Sequence, residues 1–460
     1  MGVYISAAHK SSGKTTLSLG LCAALKARGH QVQAFKKGPD YIDPLWLSTA
    51  AGRPCINLDF NTASHDELRA LYAHYAEGAD VRLVEGNKGL FDGVSLSGED
   101  SNAALAELLG LPVILVIDTE GITRGIAPLL VGYQAFGAGL DIAGVILNRV
   151  GGPRHESKLV AAVETYTDIP VLGAVRKQRS LMLEEKHLGL IPANEDALAS
   201  AKIDHLRAMV DEQVDLHRIA SLAAPSAEAG APQIRTLPPR TTKAPSARQS
   251  LSIGIARDAA FGFYYHDDLQ AFEDEGVELV PFSPLEDTCL PRVDGLFFGG
   301  GFPERHLAEI TANQTMREEI SKAIEGGMPT YAECGGLMYL TREIEWRGNR
   351  AEAVGVIPAK TVMLDVPQGR GYMELKETGK GLWPRLGNTN LIRAHEFHYS
   401  RLEGLPDDLD FAYEVLRGQG IADQKDGFVY KNLLANYAHL RHQRSNPWVK
   451  RFVEFVRACR

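Results

Sequence analysis

The chain has 460 residues, of which 45% are hydrophobic and 23% are charged, and its formal net charge is −9. The length indicates two or three domains, and the composition is typical of a globular protein. Scattered Lys and Arg on a net acidic chain disfavour a nucleic-acid surface, and no apolar run is long enough to span a membrane. The five cysteines include no CxxC pair, which disfavours a zinc ribbon or a disulfide framework. No signal peptide precedes the first apolar run, so we expect a cytoplasmic enzyme.

A candidate phosphate-binding loop, Ala8 to Thr16, lies between an apolar run at 3–7 and an amphipathic helical run. A helix N-terminus that follows a strand and a loop of small residues binds phosphate through its backbone N–H groups. We predict nucleotide contacts from Ser12, Gly13, Lys14, Thr15 and Thr16, with Lys14 at the outer phosphates and Thr15 on Mg²⁺. The usual spacing has Gly where this chain has Ala8, and a chance Gly-Lys-Thr at a helix start is the alternative.

Further apolar runs alternate with helical segments up to about residue 220, which predicts a mostly parallel sheet covered on both faces. These runs span residues 31–35, 81–85, 112–118, 142–148 and 171–175. Ligands of such sheets bind beyond the carboxyl ends of the strands. The polar residues at these ends are therefore the candidates for a binding site.

The run at 31–35 leads into a loop with charged residues of both signs. We predict that Asp40 and Asp43 hold Mg²⁺ and that Lys36 neutralises phosphate, and the alternative is a solvated turn. Glu85 ends the run at 81–85 and is expected to serve the metal, directly or through water. The alternative is an acid that caps a Gly-rich turn. Asn148 is a candidate contact to an adenine edge, and it is as compatible with a residue that closes a turn.

Residues 221–250 are rich in Ala, Pro, Ser and Thr and have no apolar periodicity, which predicts a semi-rigid linker. Strand and helix patterns resume at Leu251 and predict a second α/β domain. We therefore divide the chain into a domain at 1–220, the linker, and a domain at 251–460.

Cys334 is the candidate nucleophile of the second domain, because it lies between a short strand and a helix and is followed by glycines. A sharp turn between strand and helix exposes such a side chain. The backbones of Gly300 and Gly335 are the candidate oxyanion donors. The base must come from elsewhere in the sequence, and the segments 393–399 and 436–440 both contain histidines. The alternative is a small buried cysteine with no reaction.

Nine ordered stretches resemble the cobyrinate a,c-diamide synthase family over nearly the whole chain. They are residues 35–44, 84–93, 144–150, 187–190, 256–265, 294–304, 331–340, 395–400 and 437–440. The resemblance implies an N-terminal, dethiobiotin-synthetase-like P-loop domain with a mostly parallel sheet, which binds ATP and makes the amide. It also implies that the C-terminal domain is an α/β class I glutamine amidotransferase.

For function, the resemblance implies ATP-dependent amidation of the a and c carboxylates of cobyrinate in cobalamin biosynthesis, through an acyl phosphate. Ammonia would come from glutamine at Cys334, with His439 as the base. Asp40, Asp43 and Glu85 would be the metal-binding and substrate-activating carboxylates. The implied ligands are ATP, Mg²⁺, glutamine and a tetrapyrrole polycarboxylate, without nucleic acid or membrane, and a homodimer is left open.

Two departures from the family pattern concern the sites. Arg441 stands where the commoner amidotransferase pattern has Glu, two residues after the catalytic His. Lys88 lies where many relatives are apolar, which keeps sirohaem or sirohydrochlorin open as the ring. We expect Lys88 to contact a ring carboxylate or the activated phosphate and Trp46 to pack near the macrocycle; a solvated Lys88 and a core Trp46 are the alternatives. A P-loop ATPase that binds a protein partner is the competing class of function.

Overall fold

The computed structural model describes residues 2–137, 139–177, 185–186, 189–190, 192, 198–224, 251–387 and 391–460. The chain divides into two compact units, one of Met1–Phe60 and Ser64–Pro239 and the other of Asn61–Ala63 and Arg240–Arg460. Residues 225–250 of the predicted linker lie outside the described residues, as do residues 187 and 188 of one family stretch. The domain limits drawn from the sequence stay a prediction.

The first unit is built on a seven-stranded sheet. Its strands are β1 (Val3–Ala7), β2 (Val32–Lys37), β3 (Ile56–Leu58), β4 (Val81–Glu85), β5 (Val113–Asp118), β6 (Ile142–Val150) and β7 (Val171–Arg176), in the order β3-β2-β4-β1-β5-β6-β7. The strand pairs of this sheet are parallel. The predicted α/β fold with a parallel sheet is confirmed. A separate two-stranded sheet pairs β8 (Glu185–Lys186) with β9 (Gly189–Leu190).

Eight helices accompany these strands among the described residues. They are α1 (Lys14–Ala27), α2 (Ile42–Ala51), α3 (His65–Tyr75), α4 (Asn102–Leu109), α5 (Ile126–Phe136), α6 (Pro153–Tyr166), α7 (Ala199–Gln213) and α8 (Leu216–Ala223). The apolar side of α1 forms a core with β1, β2 and α7. Helix α8 extends three residues into the predicted linker, which begins at residue 221. Helix α8 continues to Ala223 because Leu216, Ile219 and Ala223 are buried along one side.

Among its described residues, the second unit holds three sheets. Its strands are β10 (Leu251–Ala256), β11 (Phe261–Phe263), β12 (Val277–Phe282), β13 (Gly295–Phe298), β14 (Gly300–Gly301), β15 (Thr330–Glu333), β16 (Thr341–Trp346), β17 (Asn349–Glu352), β18 (Ile357–Met363), β19 (Gly369–Glu377), β20 (Leu391–His398), β21 (Ser400–Glu403), β22 (Asp410–Arg417), β23 (Lys425–Tyr430) and β24 (Leu433–Asn436). The main sheet has the order β12-β10-β13-β15-β24-β23-β22-β19-β20. It is parallel from β12 to β24 and antiparallel from β24 to β20. The smaller sheets are β17-β16-β18-β21 and β11-β14.

The helices of the second unit complete the predicted α/β architecture. They are α9 (His266–Asp274), α10 (Leu307–Ala312), α11 (Gln314–Glu325), α12 (Gly335–Leu340) and α13 (Trp448–Cys459), with a 3-10 helix at Pro303–His306. Strands β13, β15 and β24 are parallel neighbours, so the segments that follow them start from the same edge of the sheet. Within the described ranges, no helix combines the length and apolar character needed to cross a membrane.

Candidate functional site

The phosphate-binding loop of the first unit joins β1 to α1 and is held by the end of β6. Gly13 has a φ of 92°, and a Cβ at this position would lie 2.1 Å from Asn148 Nδ2, so a side chain is excluded. Asn148 Nδ2 donates a hydrogen bond to the carbonyl of Ser12 at 2.8 Å. Thr16 follows on α1. The structure therefore brings Asn148 to the loop as a support, while its contact to adenine stays a prediction.

Lys14 connects this loop to the segment after β4. Its Nζ donates a hydrogen bond to the carbonyl of Lys88 at 2.5 Å. Burial lowers the pKa of Lys14 to about 8, although the nearby Glu85 raises it. The Lys14 ammonium is consequently held inside the site by backbone rather than by a carboxylate.

Carboxylates from β4 and α2 meet beside Thr15. Thr15 Oγ1 donates to Glu85 Oε1 at 2.8 Å and lies 3.4 Å from Asp43 Oδ2. Lys36 Nζ lies 2.5 Å from Asp43 Oδ2, 2.7 Å from Glu85 Oε1 and 3.9 Å from Asp40 Oδ2. The residues that the sequence singled out at these strand ends are thus brought together. The predicted role of Lys36 at a phosphate stays a prediction, since the structure pairs it with these acids.

The charges of this cluster shift the pKa of Lys36 and that of Asp40. Burial alone would lower the pKa of Lys36, but Asp43, Glu85 and Asp40 raise it above its ordinary value. Burial raises the pKa of Asp40, and the neighbouring carboxylate of Asp43 raises it further. Lys36 lowers it, and the resulting pKa is about 7. Asp40 therefore titrates near neutral pH, while Lys36 stays charged.

The donor set of this cluster fits Mg²⁺. The hydroxyl of Thr15 and the carboxylates of Asp40, Asp43 and Glu85 are the oxygen ligands that this cation prefers. Glu85 is fully buried, and its Oε2 has no hydrogen-bond partner among the described residues. Among all residues that the structure describes, no group of three or more His, Cys, Asp or Glu side chains is placed to hold a metal by itself. Thr15, phosphate oxygens and water would supply the remaining ligands.

Trp46 and Lys88, the two residues expected near a macrocycle, differ in placement. Trp46 is 1% exposed and belongs to the core of the first unit. The expectation that it packs near the macrocycle is wrong, because α2 buries Trp46 together with Pro44, Leu47 and Ala50. The side chain of Lys88 is exposed, so its contact to a substrate stays a prediction.

In the second unit, Cys334 lies at the turn between β15 and α12. Its φ of 47° is unusual for a residue with a side chain, and such strain is common at functional turns. The Cys334 N–H donates to the carbonyl of Asn436 at 2.8 Å. A Cβ on Gly335 would lie 2.7 Å from the carbonyl oxygen of Gly301, and one on Gly300 would lie 2.7 Å from His439 Cε1. Both glycines border the site, and their role as oxyanion donors stays a prediction.

His439 is the histidine that meets the thiol. Strand β24 pairs with β15, with Asn436 opposite Glu333, and His439 follows three residues later. Burial lowers the pKa of His439, but hydrogen bonds and charge interactions with Cys334 and Glu333 outweigh it and bring the pKa to about 10. His439 Nδ1 lies 3.4 Å from Glu333 Oε2. The structure therefore brings together a thiol, an imidazole and a carboxylate.

The other candidate histidines have different partners. The ring of His395 stacks on that of His439 with centroids 4.8 Å apart, and its Nδ1 lies 3.4 Å from the hydroxyl of Tyr265. Burial, His439 and Arg441 lower the pKa of His395 well below its ordinary value, so its imidazole is neutral. His398 stacks on Tyr437 at 3.7 Å. These contacts favour His439 as the base.

Glu333 is the site residue that the sequence reasoning missed. Arg441, at the position of the usual acid, pairs with Asp267 at 2.8 Å and lies over the ring of Tyr265. The available signal was a Glu inside the short apolar strand directly before Cys334. A buried acid needs a polar partner, and His439 is one such partner in the structure.

Comparison with known proteins assigns both units. Residues 5–190 match the CobQ/CobB/MinD/ParA nucleotide binding domain, and residues 252–447 match the CobB/CobQ-like glutamine amidotransferase domain. A cobyrinate a,c-diamide synthase of Magnetococcus marinus is 45% identical over 99% of this chain and 97% of its own length. The chain belongs to the cobyrinate a,c-diamide synthase family. Cobyrinate a,c-diamide synthases of Methanosarcina barkeri and Dehalococcoides mccartyi are 38% and 39% identical, over 100% and 97% of this chain and 96% of each relative.

Membership in the cobyrinate a,c-diamide synthase family confirms the resemblance drawn from the sequence. It also confirms the enzyme class, an amide-forming ligase that hydrolyses glutamine, with a nucleotide-binding domain that supports ATP as co-substrate. A P-loop ATPase that only binds a protein partner would have no use for the Cys334–His439 pair.

Proposed function

We propose that this protein amidates the a and c side-chain carboxylates of cobyrinate with ATP and with ammonia from glutamine. The observation that carries the proposal is the presence of two reaction centres in one chain. One combines Lys14 and Thr15 with a carboxylate cluster, and the other combines Cys334 with His439. Relatives named for this reaction match along nearly the whole chain and support the choice of substrate.

The first centre activates the carboxylate, which is a poor acyl donor until its oxygen is phosphorylated. Lys14 neutralises charge on the outer phosphates of ATP, and the backbone of the loop at Ser12 and Gly13 orients them. Thr15, Asp40, Asp43 and Glu85 would hold Mg²⁺, which would supply positive charge to the phosphates of ATP when bound. Lys36 lies 2.5 Å from Asp43 and 2.7 Å from Glu85, and this buried cation offsets the charge of the two carboxylates.

The second centre releases ammonia. His439 accepts the thiol proton of Cys334, and the thiolate sulfur attacks the side-chain amide carbon of glutamine. Backbone N–H groups at Gly300 and Gly335 stabilise the oxyanion, and the proton returns from His439 to the leaving ammonia. Water then hydrolyses the thioester to glutamate. Ammonia displaces phosphate from the acyl phosphate, so each amide consumes one ATP and one glutamine.

Mass spectrometry tests this proposal after incubation with ATP, Mg²⁺, glutamine and a panel of cobyrinate, hydrogenobyrinate and sirohydrochlorin. We expect cobyrinate to gain two amides. If its carboxylates carry the heavy oxygen isotope, one labelled oxygen per amide should appear in inorganic phosphate, as an acyl phosphate requires. A strong preference for sirohydrochlorin would keep the reaction and overturn the named substrate. ATP hydrolysis without release of ammonia from glutamine would instead favour the partner-binding ATPase.

A further inference from the structure

The two oxygens of the Glu333 carboxylate have separate partners. Oε1 accepts hydrogen bonds from the Tyr331 hydroxyl at 2.5 Å and from the Leu440 N–H at 2.9 Å. Oε2 lies 3.4 Å from His439 Nδ1, and both side chains are 3–4% exposed. One donor from β15 and one from the segment after β24 therefore fix the plane of the carboxylate, and this plane directs Oε2 to the imidazole.

We propose that Glu333 is the positioning residue that orients His439 and stabilises its charged form during glutamine hydrolysis. This inference deepens the proposed function and rests on it. An acceptor on Nδ1 selects the tautomer in which Nε2 is left for the thiol, and a buried carboxylate favours the imidazolium that forms when the thiol loses its proton.

The commoner amidotransferase pattern has a Glu two residues after the catalytic His, and this chain has Arg441 there. Arg441 is a buried cation that donates to Asp267 at 2.8 Å and lies 4.6 Å from the ring centroid of Tyr265. A guanidinium has no acceptor for an imidazole N–H. Because β15 and β24 are parallel neighbours, the residue before Cys334 reaches the same histidine from the adjacent strand.

Three side chains that act on His439 are chemically distinct. Cys334 and Glu333 are the partners that raise its pKa. His395 stacks on its ring and is neutral, since its own pKa is lowered by burial, by His439 and by Arg441. Glu333 therefore places a carboxylate directly beside this imidazole.

The variants Glu333→Gln and Glu333→Asp test the role, with Glu396→Gln as a matched control. Glu396 is equally buried and lies 3.4 Å from a different histidine, His398, and it accepts the N–H groups of Gln419 and Gly420. Glu333→Gln should lower kcat for glutamine hydrolysis by about 100-fold, and Asp should restore part of it. Glu396→Gln should keep the wild-type kcat. Synthesis with free ammonia should continue in every variant and shows that each is folded.

The pH profile separates orientation from packing. Removing the negative charge of Glu333 removes one cause of the raised pKa of His439, so the alkaline limit of glutaminase activity should move to lower pH. Alkylation of Cys334 at neutral pH should slow, because His439 would accept the thiol proton less readily without the carboxylate. A wild-type kcat with an unmoved alkaline limit in Glu333→Gln would overturn the proposal. Equal losses in Glu396→Gln would also overturn it, since the effect would then be general to buried acids.

An independent observation concerns exposed apolar side chains of the first unit. Val94, Leu96 and Phe136 are 60%, 105% and 78% exposed, and they are three of the nine large apolar side chains exposed among the described residues. We call these three residues the apolar surface. Phe136 packs on Phe91, three residues before Val94, and exposed apolar residues on adjoining segments mark a candidate binding surface, whereas single ones are ordinary.

The apolar surface is joined to the phosphate-binding loop. Phe91 packs on Phe136 and Tyr133, with ring centroids 4.9 and 5.4 Å away. The Tyr133 hydroxyl donates to the carbonyl of Ala8 at 2.6 Å. Asp100 accepts the N–H groups of Val94 and Ser95 at 2.7 and 3.0 Å. Val94 and Leu96 are thus presented by an ordered loop that continues from the Lys88 segment.

We propose that the apolar surface binds the ring face of the tetrapyrrole substrate, and this inference rests on the proposed function. A tetrapyrrole is a flat apolar disc with carboxylates on its rim, and one carboxylate must reach the phosphates near Lys14. Trp46 is buried and cannot serve as the apolar contact. The protein is net acidic, so a polyanion needs local cations, and Lys88 is exposed at the start of the same loop.

Phe136→Ser and Leu96→Ser test the apolar surface, with Leu416→Ser as a control on β22 of the second unit, where Leu416 is 51% exposed. Each surface variant should raise KM for cobyrinate about tenfold with free ammonia as the nitrogen donor. KM for ATP and glutaminase activity should not change. Titration of the ring's visible absorbance should show the same loss of binding, and the control should match the wild type.

The outcomes separate this surface from the proposed function. If the wild type amidates cobyrinate and both surface variants keep its KM, the surface is overturned and the function stands. If Phe136→Ser instead dissociates a dimer while KM is unchanged, the surface is an interface between copies of the chain. If the wild type amidates no tetrapyrrole, both the function and the surface are overturned.

Discussion

The ammonium of Lys14 donates a hydrogen bond to the carbonyl of Lys88 at 2.5 Å, which joins the phosphate-binding loop to the segment after β4. The two residues are 74 positions apart in the sequence. Lys14 is thereby held through backbone, while the side chain of Lys88 remains exposed for another partner. The two lysines are therefore expected to have different roles, one at the nucleotide and one at the substrate.

Lys14→Ala should abolish amidation with either glutamine or ammonia as the nitrogen donor, because a neutral side chain cannot stabilise charge on the phosphates during transfer. Glutaminase activity at Cys334 should remain. Lys26→Ala, at the exposed far end of α1, is the matched control and should amidate at the wild-type rate. Product formation measured with both donors checks this, and normal amidation by Lys14→Ala would remove the loop from the mechanism.

The pKa of Lys14 predicts a pH dependence. Burial brings this pKa down to about 8, so the fraction of charged Lys14 falls as the pH rises through that value. The kcat/KM for ATP, which reports groups of the free enzyme, should therefore decrease above a pH of about 8 at saturating glutamine. Lys26→Ala should show the same profile. A profile that stays flat well above about 8 would contradict the assignment.

Removal of the divalent cation should stop the synthetase and spare the glutaminase. Chelation with EDTA should abolish amidation with free ammonia, while release of glutamate from glutamine continues at Cys334. Glu85→Gln should raise the Mg²⁺ concentration needed for half-maximal synthesis, because Glu85 Oε2 is a buried acceptor without another partner among the described residues. An unshifted Mg²⁺ titration in an active Glu85→Gln protein would exclude Glu85 as a ligand.

Cys334→Ser should eliminate synthesis from glutamine and leave synthesis from free ammonia intact. A serine hydroxyl is a poor nucleophile at neutral pH, whereas the acyl phosphate is formed by other residues. Cys289→Ser, at an exposed cysteine, is the control and should behave as the wild type. His439→Ala should resemble Cys334→Ser, and a mild effect would point to His395 or His398 as the base. Failure of ammonia to support a folded Cys334→Ser protein would contradict the division of labour.

Lys88→Ala should raise KM for the macrocycle or lower turnover with little change in ATP affinity, since the carbonyl that Lys14 contacts belongs to the backbone. Preference among cobyrinate, hydrogenobyrinate and sirohydrochlorin should also change. Lys88→Arg, which keeps the charge, should lie closer to the wild type. Steady-state kinetics across this panel provide the measurement, and unchanged values for all three rings would leave Lys88 as a solvated side chain.

Local patterns were sufficient for the architecture and for most of the candidate site residues, whereas the reaction was implied by the family resemblance. Continuous apolar runs that alternate with helical runs require a sheet covered on both faces, and the observed parallel sheet of the first unit follows. In such a sheet the strand ends share one edge, so Thr15, Lys36, Asp43 and Glu85 were identifiable before their contacts were known. The glycines after Cys334 marked the second centre for the same local reason.

Tertiary structure alone decided which distant residues meet. The pairing of β15 with β24 brings Glu333 close to His439. Arg441 donates a hydrogen bond to Asp267, 174 residues earlier in the chain. Trp46 belongs to the core because the packing of α2 determines which of its sides is buried, and composition cannot specify that side. Local sequence thus determined the elements and the reactive groups, whereas contacts between strands and helices far apart in the chain determined their partners.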